Sequence, residues 1–213
     1  ATSSEAEKLY KFLIENYGKK TISGIMANVA WNTDEAEQVN TWTGHYPALN
    51  TFDYMHIRYS GQNWIDYSDI SPVTNWANAG GIVSCMWHWN VPKNTDSNID
   101  DYTATLSESV FNAQKATEEG TWENGIVKAD LETVANMLKQ LKEAKIPVLW
   151  RPLHEAAGQF FWWGKDAESF KALWKMMFTY FKEQGLDNLI WVWTSENKDD
   201  ANWYPGDEYV DII

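Results

Sequence analysis

Val148-Leu149-Trp150-Arg151-Pro152-Leu153-His154-Glu155 decides how this 213-residue chain is read. Pro147 opens a short apolar run, and the run ends abruptly in Arg, His and Glu. Soon after Glu155 comes Phe161-Trp162-Trp163-Gly164, a cluster of rings with neither helical nor strand period. A strand that delivers a carboxylic acid beside aromatic rings has the parts needed to cut a sugar chain. The acid protonates the leaving glycosidic oxygen, and flat rings stack on the apolar faces of pyranose units.

Outward from that run, apolar segments alternate with helical patterns. Residues 21–26, 48–52, 82–87, 148–153, 189–193 and 209–213 read as strands. Ser4 and Glu7 form a capping box before a helix marked by Leu9, Tyr10, Leu13 and Tyr17 and stopped by Gly18. Asn32 and Glu35 are expected to cap a second helix, and residues 72–79 form a short one closed by Gly80-Gly81. Leu131, Val134, Ala135, Leu138 and Leu141 have clean helical spacing. So do Phe170, Leu173, Trp174, Met177, Phe178 and Phe181, with Asp166 as cap and Gly185 as stop. Residues 90–127 are polar and weakly periodic, too long for an ordinary connection.

The strand runs are continuously apolar rather than alternating, as parallel strands buried on both faces require. Strand then helix, repeated, gives an α/β fold. Polar residues gather just past the strand ends: His88, Arg151, His154, Glu155, Ser195 and Glu196. A (β/α)8 barrel places its active site there, and a doubly wound open sheet does so at its switch point. The absence of GxGxxG and GxxxxGK[ST] disfavours the nucleotide-binding open sheet.

Composition narrows the partners. The net charge of −13 argues against nucleic acid and anionic membrane surfaces, which need Lys and Arg, and suits a neutral substrate. The 14 Trp, 10 Tyr and 8 Phe exceed the needs of a core this size, so some rings are expected to face solvent. Cys85 is the single cysteine, which excludes a disulfide framework; within Ile82-Val83-Ser84-Cys85-Met86 it reads as a small buried hydrophobe. No apolar stretch approaches the roughly 20 residues of a membrane span.

Trp150-Arg151-Pro152-Leu153-His154-Glu155-Ala156-Ala157-Gly158, followed by Phe161-Trp162-Trp163-Gly164, resembles the strand-four signature of glycoside hydrolase family 26, a family composed largely of endo-β-1,4-mannanases. Met86-Trp87-His88-Trp89-Asn90 resembles the strand-three motif, and Trp191-Val192-Trp193-Thr194 and Tyr204 to Ile213 resemble strands five and six. The likeness covers nearly the whole chain. It implies a (β/α)8 TIM barrel and a retaining double displacement on two glutamates. Glu155 matches the acid/base, His154 the histidine that positions the catalytic groups, and His88 a substrate contact near the cleaved bond. Phe160 stands where the family usually has Trp, so stacking there is expected to differ. The family's nucleophile lies on strand seven, and no glutamate here matches it. Residues 1–213 are therefore expected to be one incomplete catalytic barrel domain supplying about the first six strands, and the missing C-terminal segment to close it.

Each candidate also has a plainer reading. Glu155 could be a structural ion pair with Arg151. His88 and His154 could be satisfied core histidines, or metal ligands with Glu155, although no HExxH-type spacing is present. No cofactor and no metal are expected. Trp162 and Trp163 are adjacent and cannot share a face, so one is expected to pack and the other to line a cleft. Trp193 is an equally divided case. Arg151 is a candidate substrate contact that would more naturally stand behind the acid. Glu196 follows strand five and reads as a loop acid or cap. The resulting expectation is a secreted, periplasmic or cell-surface, bacterial-type hydrolase of β-1,4-mannosidic bonds in mannan, glucomannan or galactomannan. The alternatives are the same chemistry on β-1,3-1,4-glucan or β-1,3-xylan, and a carbohydrate-binding protein without turnover.

Overall fold

A computed structural model of the chain describes residues 3–61, 64–196 and 199–213. Five parallel strands form one sheet in sequential order: β1 (Gly24–Met26), β2 (Leu49–Asp53), β3 (Ile82–Met86), β6 (Val148–Arg151) and β7 (Leu189–Trp191). Val91–Pro92 (β4) and Tyr102–Thr103 (β5) form a small antiparallel pair between them. The register runs from Gly24↔Leu49 through Leu49↔Ile82 and Val83↔Val148 to Val148↔Leu189. The sixth run enters only as a parallel bridge, Val192↔Ile212. Strand then helix, with every neighbour parallel and in sequence order, is the βα repeat of a barrel wall; within this chain the barrel is incomplete.

Helices α2 (Asp34–Thr43), α3 (Ser71–Asn78), α4 (Trp122–Glu143) and α5 (Ala167–Glu183) connect successive strands. The two faces of the strands are covered differently. Trp150 of β6 packs on Phe181 of α5, with ring centroids 5.9 Å apart, within the large core shared by β3, α4 and α5. The intervening residue Leu149 turns to the other face and meets Ile190 and Ala6, with Leu9 and Leu13 beside them. Helix α1 (Ser4–Asn16) thus covers apolar side chains on the sheet's second face, which explains why the runs do not alternate. No described helix is long and apolar enough to cross a membrane.

Several local expectations change. The cap of α1 is Ser3, not Ser4: its hydroxyl accepts from the Ala6 amide at 3.2 Å. Helix α2 begins at Asp34 after Thr33, which makes no side-chain cap bond; Glu35 instead accepts from the Asn28 amide at 3.0 Å. The segment 90–127 is neither unbroken nor structureless. Helix α4 starts at Trp122, capped by the Thr121 hydroxyl, and Phe111, Ala113 and Ala116 are buried. The start of α4 is hidden in the sequence because Glu123, Asn124 and Asp130 sit on its inner face and interrupt the apolar period. Asp166 caps α5 as expected, accepting from the Ser169 amide at 2.8 Å.

Candidate active site

Three strand ends converge. Asp53 closes β2, His88 follows β3, and His154 and Glu155 follow β6. Parallel pairing carries each chain end to the same rim, because the Asp53↔Met86 and Met86↔Arg151 registers align the three ends.

The histidines form one hydrogen-bonded chain. The Asp53 carboxylate is fully buried; Oδ2 lies 2.5 Å from His88 Nδ1, and Oδ1 accepts from the His88 amide at 3.0 Å. His88 Nε2 lies 3.1 Å from His154 Nε2. His154 is 2% exposed, and burial, with help from nearby His88 and Arg151, pulls its pKa down to about 2, so it stays neutral. Its ring sits edge-on to Phe161 at 4.9 Å and to Trp163 at 5.6 Å, and its carbonyl accepts from Trp163 Nε1 at 2.9 Å.

Glu155 is held at the open side of this chain. Its carboxylate is half exposed, with Oε1 3.6 Å from Arg151 Nη2. The backbone around it is bent: Leu153, Glu155 and Gln159 all have positive φ, at 49°, 55° and 58°. A left-handed conformation costs a non-glycine residue about 1 kcal/mol or more, and such strain concentrates at functional sites. The turn is over-determined from outside. Phe161 stacks on Trp163 at 4.4 Å, Trp162 Nε1 donates to the Trp89 carbonyl, and the Leu106 and Trp162 amides bond the Phe160 and Ala104 carbonyls. The segment 102–106 therefore braces the aromatic turn, a role its polar sequence does not announce.

The predicted site residues divide. His88, His154, Glu155 and Arg151 come together. Phe160 is at the rim with 61% of its surface open, its ring edge-on to Phe161 at 5.1 Å. The expectation that one of Trp162 and Trp163 faces the cleft is corrected: both are fully buried, each with its indole N–H committed to a backbone carbonyl. Trp193 is also buried and packs on Tyr204, 5.3 Å away, with no ring contact to the histidines. Arg151 touches the acid directly rather than standing behind it. Glu196 is an exposed loop acid, as expected, and it leans on the turn that follows Glu155, since a Cβ added at Gly158 would collide with its carboxylate. Asp53 is the site residue that sequence reasoning misses. Its signal is present, an acid ending the buried run Leu49–Asp53 at the rim where His88 and His154 emerge.

A carboxylic acid on a strained turn, a buried histidine next to it bonded to a partly exposed one, and an open phenyl ring at the rim suit proton transfer to a sugar-like substrate. Known proteins bear on this arrangement. The family model described as Glycosyl hydrolase family 26 matches residues 1–213. The chain is 36% identical over 222 residues to a mannan endo-1,4-β-mannosidase of Thermothelomyces thermophilus, covering 100% of this chain and 44% of that protein. It is 36% identical over 217 residues to mannan endo-1,4-β-mannosidase B of Piromyces sp., covering 98% and 36%. The chain thus spans less than half the length of these relatives. The GH26 domain of an endo-β-mannanase/endo-β-glucanase from Prevotella bryantii superposes with a TM-score of 0.94 at 46% identity, covering 99% of this chain and 71% of that one. A β-mannanase from a symbiotic protist of the termite Reticulitermes speratus, solved with a gluco-manno-oligosaccharide, gives 0.85 at 40% identity, covering 99% and 68%. With the parallel βα wall, the strand-end acid and these likenesses in agreement over the full length, the chain belongs to glycosyl hydrolase family 26.

Proposed function

We propose that the whole protein hydrolyses β-1,4-mannosidic bonds in mannan, glucomannan or galactomannan with retention of configuration. One observation carries the reading: Glu155 stands on a strained turn at the end of β6, its carboxylate open to solvent, immediately after a buried neutral histidine. In the first step Glu155 gives its proton to the leaving glycosidic oxygen; in the second it takes one from the water that releases the glycosyl-enzyme. Phe160 offers an exposed ring face for a pyranose beside the cleaved bond. The second carboxylate, the nucleophile, would be supplied by the whole protein from outside residues 1–213. Retention needs it roughly 5–5.5 Å from the Glu155 carboxyl, which leaves no room for an intervening water. Mannanase activity in the named relatives supports the sugar assignment.

The test is Glu155→Gln in the whole protein. On mannan, with its poor leaving groups, kcat should fall at least 10²-fold, the usual size of general acid–base catalysis. An aryl glycoside with a dinitrophenolate leaving group, which needs no proton, should keep its glycosylation step. Wild-type turnover of mannan by Glu155→Gln would refute the assignment. Faster hydrolysis of lichenan or β-1,3-xylan than of mannan by the wild type would keep the chemistry and change the sugar. Binding of mannohexaose without cleavage would make the protein a binder.

A further inference from the structure

Asp53 has no substrate-facing surface, yet it makes two hydrogen bonds to a single residue, His88. A buried carboxylate must be compensated, and a histidine is an expensive choice where apolar residues would pack as well. The geometry explains the choice. His154 Nδ1 is buried and has no hydrogen-bond partner among the described residues. A bare acceptor nitrogen costs less there than an orphaned N–H, so the His154 proton belongs on Nε2. That N–H points at His88 Nε2, 3.1 Å away, which must then be the acceptor. His88 in turn carries its proton on Nδ1 and donates it to Asp53 Oδ2. With both rings neutral and Asp53 ionised, only this arrangement of protons satisfies both contacts without burying an orphaned N–H at His154 Nδ1, and Asp53 is its fixed end, because a carboxylate can only accept.

We propose that Asp53 is a positioning residue for the reaction: it fixes the tautomer of His88, through it that of His154, and so the seat of Glu155. This rests on the mannanase reading above and adds a member to its site. The coupling to Glu155 is short. The His154 ring is held by His88, its carbonyl by Trp163 Nε1, and the next residue is the acid, on a left-handed backbone. With Asp53 replaced by Asn, the amide can turn its NH2 toward His88 Nδ1, which then becomes an acceptor. The proton moves to His88 Nε2 and confronts the His154 N–H, so the two rings must separate or retautomerise. A misplacement on the order of 1 Å at the acid costs about 10²-fold in rate.

Histidine-selective 15N labelling of the whole protein and long-range 1H–15N spectra read the tautomers directly. The wild type should show His88 protonated at Nδ1 and His154 at Nε2; the opposite pair overturns the proposal without any variant. In Asp53→Asn the His88 and His154 patterns should change and kcat on mannan should fall about 10²-fold, with KM within a few-fold of wild type. Hydrolysis of the dinitrophenyl glycoside, which needs no acid, should change far less in its glycosylation step. Unchanged tautomers, or equal losses on both substrates, would reduce Asp53 to a packing role. Failure here is distinct from failure of the mannanase reading: the latter shows as mannan turnover by Glu155→Gln, whatever Asp53→Asn does.

Discussion

His88 and Trp89 are neighbours in sequence, and each is met by a buried aspartate from a different direction. Asp53, from the end of β2, takes the His88 ring; Asp130, from the inner face of α4, accepts from Trp89 Nε1 at 2.8 Å. The difference lies in what stands behind each acid. Asp130 is closed off by Arg58 Nε at 3.0 Å, a permanent cation on the β2–α3 connection with a φ of 59°. Its indole partner has one N–H and no acceptor, so the Arg58–Asp130–Trp89 chain ends where it begins. His88 has a second nitrogen, and the Asp53 chain continues through it to His154 and Glu155. One carboxylate fastens a loop and a strand extension to a helix; the other conveys orientation to the acid. The same buried charge is structural or chemical according to whether its partner has one polar atom or two.

That contrast breaks first under removal of the cation. Arg58→Met leaves Asp130 buried against a single indole N–H; because Arg58 itself is partly exposed and Asp130 can take up a proton, the loss should be about 2 kcal/mol, short of what a fully buried pair would lose. The loss should be largest above pH 7. Below that, Asp130 can take up a proton and escape the unpaired charge. Urea unfolding of the whole protein at pH 8 and pH 5 measures both. An equal loss at the two values would mean that Asp130 is not the group left stranded. Turnover per folded molecule should stay near wild type, the reverse of the pattern expected for Asp53→Asn.

A gentler test uses pH alone. Burial raises Asp130 from 3.8 to about 7, against the downward pull of Arg58 and the Trp89 hydrogen bond. Its folded form thus holds a proton that the unfolded chain has released between about pH 4 and 7, and its contribution to stability declines as pH rises through that window. His154 acts in the opposite sense. Its pKa falls from 6.5 to about 2, so the unfolded chain binds the extra proton and stability declines as pH falls below about 6.5. Between about pH 4 and 6.5 the two slopes oppose each other. Asp130→Asn removes one of them. The stability difference between wild type and Asp130→Asn should therefore fall with rising pH, by on the order of 1 kcal/mol per unit between about pH 4 and 7. A flat difference would place the Asp130 proton elsewhere.

These clusters also show how far sequence reasoning reaches. Val148 to Glu155 announces both a buried parallel strand and its acid, because an apolar run must be covered on both faces and charge can follow it only where the chain reaches an edge. The βα alternation is legible on the same physical ground, and so is the Asp166 cap. Asp53 is not legible in this way, although it ends Leu49–Asp53 just as Glu155 follows β6, because a single acid after a short strand has no spacing to mark it. The start of α4 escapes because its inner face carries Glu123, Asn124 and Asp130, each satisfied by a group outside the helix: the Asn112 amide, the Ala116 carbonyl, and Trp89 with Arg58. Trp162 and Trp163 mislead in the opposite direction. Paired exposed-looking rings form a double layer, one against Trp89 and one against His154, leaving Phe160 as the open ring.

The smallest effect separates the two partners of β3's extension most cleanly. Trp89→Phe keeps the ring in its stack on Trp87, 4.0 Å away, and keeps the Trp89 carbonyl that accepts from Trp162. What it deletes is the N–H to Asp130 Oδ2. Losing a hydrogen bond to a buried charged group costs about 1.5–3 kcal/mol, less where the group can protonate. Since Asp130 titrates near pH 7, the cost should shrink toward about 1 kcal/mol at pH 5, as a neutral acid asks less of its donors. His88, one residue away, bonds Asp53 on the other side and should keep its tautomer and its effect on kcat. Chemical denaturation at the two pH values, together with turnover of mannan, checks all of this. A fall in kcat that tracked the loss of stability would mean that the Asp130 and Asp53 chains are one network, joined through the peptide between residues 88 and 89.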